Sequence, residues 1–214
     1  MEIESARDRT MNETRERILD VALEVLGRSP EAGMGDIAAA AGVVRRTVYG
    51  HFPTRIDLVR TLTRRAVDEM TAVLAEVDAA GRPADAAWVR FVLRLWPLAH
   101  RYRVLLALRR GEYGNEIHAL LGPVDELLAD LVRRGQESGV FGEHLPPGVL
   151  GQLAFSTVFA IADHEFATGG LGAGAAMITT LLMLGVTAPR ARSLVADGQW
   201  DTPGPEIAPS PPES

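Results

Sequence analysis

Arg45 and Arg46, followed by Thr47, Tyr49 and His51, are the residues of this chain best suited to chemistry with an anionic partner. Two guanidinium groups at the start of a helix can reach guanine O6 and N7 in a major groove, or pair with phosphates. Thr47, Tyr49 and His51 carry polar groups of the kind that fix a protein's position on a nucleic-acid backbone. The competing reading is a solvated helical hairpin whose arginines form surface ion pairs of little energetic weight.

The residues around this cluster say how it would be held. Ala38, Gly42 and Val48 fall four and then six positions apart. A helix-turn-helix needs a small residue where two short helices cross, a glycine able to take positive φ in the turn, and an apolar residue on the inner face of the second helix. Ile37, Ala41 and Phe52 complete that inner face, which turns Arg45, Arg46 and Tyr49 outward. Support helices are expected on both sides. Ile18, Leu19, Ala22, Leu23 and Leu26 form one apolar face, preceded by Thr10-x-x-Glu13, a capping-box pattern. Thr54-x-x-Asp57 repeats that pattern after Pro53 and opens a long helix carrying Leu58, Leu62, Ala66, Met70, Val73 and Val77. Gly81-Arg82-Pro83 ends it.

A net charge of −6 over 214 residues argues at first against a partner as acidic as DNA, but the charge is unevenly placed. Residues 28–65 hold seven arginines against three acids. Residues 1–27 hold four against seven, and residues 66–214 eleven against eighteen. All 22 basic residues are arginine, which reads as compositional bias. With no cysteine, disulfides, thiolate metal sites and cysteine nucleophiles are excluded. The N-terminal stretch is too charged for a signal peptide, and no apolar run approaches the roughly 18 residues of a membrane span. A soluble, cytoplasmic protein is expected.

The motif residues resemble the tetracycline-repressor (TetR) family of transcriptional regulators. The resemblance rests on TRERILDVAL from Thr14, DIAAAAGV from Asp36, and TVYGHFPTR from Thr47 with Leu58 beyond it, and so covers about residues 14–60. It implies an all-α fold: a three-helix head with a helix-turn-helix (10–53), a helical ligand-binding and dimerisation body (54–196), and a tail (197–214) whose five prolines read as disorder. It also implies that Thr47, Tyr49, His51 and Arg55 contact phosphates while the start of the recognition helix reads bases. Three positions depart from the family pattern. Val44 stands where a small polar cap is common, at a cost of about 1 kcal/mol. Gly33 replaces the usual Ser/Thr before the preceding helix, and Arg55 replaces the commoner lysine.

Beyond residue 60 helical spacing recurs over about 84–96, 98–110, 115–138, 148–168 and 173–186, with Pro97 and Pro123 each expected to start or kink a helix. Trp88, Phe91, Trp96, Tyr102, Phe155 and Phe159 are the best available lining for an apolar effector pocket, although a stripe such as Phe155, Phe159 and Phe166 is more often plain core. His100, Arg103, His118 and Thr157 are the polar groups near them. The stretch 173–186 is almost uncharged, and the small residues Ala173, Gly174, Ala175 and Ala176 would let a partner helix approach. A homodimer through the last two helices, about 148–186, is expected, since two recognition helices one turn of DNA apart require a two-fold partner.

No Gly-rich phosphate loop, G-x-S-x-G or H-E-x-x-H is present. Asp163-His164-Glu165 is a dense polar cluster, but adjacent helical residues point about 100° apart and share one ion poorly. No catalytic residue, metal site or cofactor is expected. The sequence thus reads as a ligand-responsive regulator, most simply a repressor, that binds a palindromic double-stranded operator and is released by a small, largely apolar effector. A helical enzyme or ligand carrier with an incidental helix-turn-helix is the alternative, and an adaptor using the 148–186 surface is a third.

Overall fold

The computed structural model describes residues 2–79, 81–111 and 113–197. Among these residues every regular element is a helix, and no strand occurs.

The first helix, α1 (Glu2–Arg28), begins well before the Thr10-x-x-Glu13 pattern. No glycine or proline precedes Gly27 to stop it, so Thr10 lies mid-helix and its carbonyl accepts the Thr14 hydroxyl at 2.9 Å. Ile18, Leu19, Ala22 and Leu26 are buried where α1 packs on α2 (Met34–Ala40) and α4 (Arg55–Ala79), and α3 (Arg45–His51) packs in turn on α2. Ile37, Ala38, Val48, Phe52, Leu58 and Leu62 close this core.

Capping follows the local sequence. Gly33 has no side chain to cap α2, but Asp36 reaches back and accepts its N–H at 2.8 Å. At α4 the expected box is complete: Thr54 N–H donates to Asp57 Oδ2 at 3.1 Å, and Asp57 N–H donates to Thr54 Oγ1 at 3.2 Å.

The remaining helices form one body around α4 and α9. α4 packs on α5 (Ala84–Arg101), α7 (Gly114–Leu120) and α8 (Gly122–Glu137). α9 (Pro147–Thr168) packs on α5, α8 and α10 (Ala173–Met183). Pro97 neither starts a helix nor ends one, for α5 runs through it to Arg101 and stops where Tyr102 N–H bonds the Leu98 carbonyl at 2.8 Å. The stretch expected over 98–110 is therefore shorter, as α6 (Val104–Arg110). The stretch expected over 115–138 is broken at Leu121, where Pro123 occupies the first turn of α8.

A further helix, α11 (Ala188–Asp197), follows α10 beyond the helical spacing expected up to residue 186. It explains part of the small-residue run, because a side chain added at Gly174 would meet Val195 of α11 at 3.9 Å, and Ala176 is fully buried. Ala173, Gly174 and Ala175 remain half-buried. Asp197, the first residue of the expected tail (197–214), ends α11, and the rest of that tail lies outside the described residues. Among the described residues no helix is long and apolar enough to cross a membrane.

Candidate functional site

The geometry of the recognition segment is set by the turn at Gly42. Val43 N–H donates to the Ala38 carbonyl at 3.0 Å and Gly42 N–H to the Ala39 carbonyl at 3.2 Å, closing α2 in a Schellman motif. That closure requires the left-handed φ of +66° that Gly42 adopts. α3 then starts from Val44, which is extended, 70% exposed and contributes no side-chain cap. Val48 and Phe52 face inward, and the Arg15 guanidinium lies 5.4 Å from the Phe52 ring centre.

Arg45, Arg46 and Tyr49 are exposed on the outer surface of α3, while Thr47 and His51 are half-buried beside them. These five share one short helix. Arg45 reaches back toward α2. Its guanidinium lies over the first turn of α2, where a Cβ on Gly35 would stand 2.6 Å from its terminal nitrogen. Gly35 thereby gives the arginine the room to rest there.

Arg55 sits differently from the other five expected contacts. Its guanidinium donates to the Pro30 carbonyl and stands 5.7 Å from the Tyr113 ring centre, so it joins the α1–α2 loop to the segment between α6 and α7. A guanidinium at the start of α4 finds these partners because Tyr113 packs beside it, a neighbour 58 positions along the chain. In this conformation Arg55 is engaged within the protein.

A second junction ties α1 to the body. Arg65 lies 2.9 Å from Asp20 and 3.4 Å from Glu16. Arg101 bridges Asp20 at 3.1 Å and Glu69 at 3.3 Å. Glu69 also accepts the Tyr102 hydroxyl at 2.7 Å. Burial and that hydrogen bond push the Tyr102 hydroxyl well above its ordinary pKa, so it stays neutral and donates.

Tyr102 also lines a cavity of about 40 Å³ between α4, the α5–α6 junction, α7 and α9. Phe155 and Phe159 form its α9 wall, so three of the six expected aromatics meet here. Trp88 and Phe91 are not among the residues that line it. Trp88 is fully buried, donates its indole N–H to Thr180 Oγ1 at 2.8 Å and meets Phe91 edge-on at 5.7 Å. Phe91 in turn stacks on Phe155 at 6.4 Å. These two rings are core between α5, α9 and α10. Trp96, also absent from that wall, stands edge-on to His100 at 4.9 Å, and His100 Nε2 lies 2.9 Å from Glu165 Oε2.

Phe166 leaves the stripe altogether. It is 60% exposed at the end of α9 and is covered by Arg103, whose guanidinium carbon lies 3.6 Å from the ring centre. Thr157 spends its hydroxyl on the Leu153 carbonyl at 2.9 Å, and His118 is exposed.

Sequence reasoning missed several cavity residues: Thr63 from α4, Leu105 and Arg109 from α6, and Ser156 from α9. Ala66 and Met70, also on the wall, are members of the apolar face already read on α4. On the outer side of the body, Val149 and Leu153 of α9 and Leu182 of α10 are exposed, leaving an apolar surface on these two helices.

The sequence model for bacterial regulatory proteins of the tetR family matches residues 18–62, from α1 into α4. The chain is similar to the HTH-type transcriptional repressor LfrR of Mycolicibacterium smegmatis, with 48% identity over 87 residues, 41% of this chain and 44% of that protein. It is also similar to the HTH-type transcriptional regulator AcrR of Shigella flexneri, with 46% identity over 48 residues, 22% of each. These sequence matches span less than half of either relative. The crystal structure of LfrR from Mycobacterium smegmatis in complex with proflavine matches with a TM-score of 0.64 and 31% identity, over 84% of this chain and 96% of that one. FadR from Bacillus subtilis in complex with stearoyl-CoA matches with a TM-score of 0.68 at 20% identity, over 81% and 98%, a likeness of fold alone. With its recognition helix and its helical body both matched in this way, the chain belongs to the tetR family of bacterial regulatory proteins.

Proposed function

We propose that this protein is a ligand-responsive transcriptional repressor, acting in the cytoplasm as a homodimer on a palindromic operator. The observation that carries this reading is α3, which buries Val48 and Phe52 and presents Arg45, Arg46 and Tyr49 outward. Residues 10–53 act as the DNA-binding head, with Thr47 and His51 contacting phosphates beside the arginines that read bases. Arg55 joins them only if it leaves Pro30 and Tyr113. Residues 54–196 act as the body.

The exposed apolar side chains Val149, Leu153 and Leu182 support dimerisation through α9 and α10. The cavity lined by Tyr102, Phe155 and Phe159 supports an apolar effector site, and the LfrR complex with proflavine supports a small-molecule ligand in a body of this fold. The effector acts by population shift. It binds more tightly to a body conformation in which α4 has moved and spread the two heads, so the recognition helices no longer match successive major grooves. The regulator reading is favoured over a helical enzyme because the related proteins are named as regulators and repressors.

The test is a mobility-shift titration on an operator found by footprinting the DNA that flanks the protein's own coding region. Arg45→Ala and Arg46→Ala should each weaken specific binding by about 1–3 kcal/mol. Unchanged affinity in both variants refutes base reading by α3.

A further inference from the structure

We propose that the cavity between α4, α6, α7 and α9 receives an organic anion, a carboxylate carried on an aromatic or acyl body, with Arg109 as its counter-ion. This deepens the effector reading above and depends on it for the consequence of binding, not for binding itself.

The polar groups on the cavity wall differ in whether they are free to meet a ligand. Ala66, Met70, Leu105, Ile117, Phe155 and Phe159 supply an apolar surface that suits a ring or a short chain. Two of the polar lining residues are already committed. The Thr63 hydroxyl donates to the Val59 carbonyl at 2.9 Å, and the Tyr102 hydroxyl donates to Glu69. Arg109 and Ser156 remain. Among the described residues no carboxylate lies within 4.0 Å of the Arg109 guanidinium. Several other arginines of the body are matched, among them Arg94 with Glu76, Arg101 with Glu69, and Arg190 with Asp85.

The surrounding charges do not alter this assignment. Asp125 is close enough for the field of Arg109 and of His118 to act on its carboxyl, yet burial outweighs both and pushes that carboxyl above its ordinary pKa. Asp125 is not on the cavity wall, and its Oδ2 lies 3.5 Å from the Gln152 amide. The charge that a ligand would meet is therefore the guanidinium. It is half-buried and shaped to take a carboxylate with two parallel hydrogen bonds, while the Ser156 hydroxyl stands on the same wall. A lipophilic cation would have to sit against it. At about 40 Å³ the cavity holds little more than water, so the ligand must also widen it. A charge-assisted pair at one end offsets part of that cost.

The test is isothermal titration of the full-length protein with 1-naphthoate, decanoate, neutral 1-naphthamide and the planar cation proflavine, run beside operator release. Naphthoate should bind about tenfold or more tightly than naphthamide. Arg109→Met should abolish that advantage and Arg109→Lys should keep part of it, with both variants melting as cooperatively as the parent. Equal binding of acid and amide, tighter binding of proflavine than of both carboxylates, an intact preference in Arg109→Met, or no carboxylate binding at millimolar concentration each overturns the assignment. The two readings separate cleanly. Arg109-dependent carboxylate binding without operator release supports the anion site and refutes the effector mechanism. Operator release by the amide or the cation alone does the reverse.

Discussion

Gly42 offers a substitution whose cost can be worked from backbone geometry alone. It closes α2 at φ +66°, and a Cβ built there would meet nothing within 4 Å. Gly42→Ala therefore creates no clash, loses no hydrogen bond and removes no packing. What remains is the left-handed conformation, which costs an L-residue with a Cβ about 1–2 kcal/mol. For a chain of this length about 1 kcal/mol moves the thermal midpoint by about 2–4 °C.

Asparagine tolerates that conformation better, so Gly42→Asn should fall between glycine and alanine. The assay is urea unfolding of all three proteins followed by helical circular dichroism, with operator affinity measured on the same samples. The Ala variant should lose operator affinity as well, because the strain falls on the turn that orients α3. If Ala and Asn cost the same, or if Ala costs more than about 3 kcal/mol, a backbone penalty is the wrong explanation and an unrecognised packing role takes its place.

Two further predictions concern the body. Thr180→Val leaves the Trp88 indole N–H buried without its acceptor, which should cost about 1–3 kcal/mol, whereas Thr180→Ser should cost less. Equal losses in a thermal melt of the two variants would refute the hydrogen-bond account. Asp125 has a folded-state pKa raised above 3.8 by burial, so its ionisation near neutral pH opposes folding, and this handicap disappears as pH falls below that unfolded value. Asp125→Asn should therefore raise the urea midpoint at pH 7 and lose its advantage in acid. A lower midpoint at pH 7 would sink that reasoning.

The parts of this protein that could be read in advance are those whose residue types answer a local demand. Gly42, Ala38 and Val48 describe a turn and a crossing of neighbouring segments, and Thr54 with Asp57 describes one helix start. What could not be read depends on which distant surfaces meet. Phe155 and Phe91 carry the same helical signal, yet one faces a cavity and the other core, because α10 covers Trp88 and Phe91 while α6 and α7 leave a gap beside Phe155. Arg109 adjoins Arg110 in the sequence, and nothing in one dimension says that the first of the pair lies on a cavity wall. Thr10-x-x-Glu13 misled for a different reason. A capping pattern marks a helix start only where the preceding residues leave the helix, and here they continue it.

The two junctions at Arg55 and Glu69 bear on recombination. A head exchanged between relatives with its seam after residue 53 would part Pro30 from Arg55, and Asp20 and Glu16 from Arg65 and Arg101. An incoming first helix without acids at those two turns would leave both arginines to share Glu69, which Tyr102 already occupies. The transplantable unit is thus larger than the helix-turn-helix. It runs from α1 through Glu69, taking about four turns of α4 with it, and Arg101, Tyr102 and Tyr113 are among the positions a recipient body has to match.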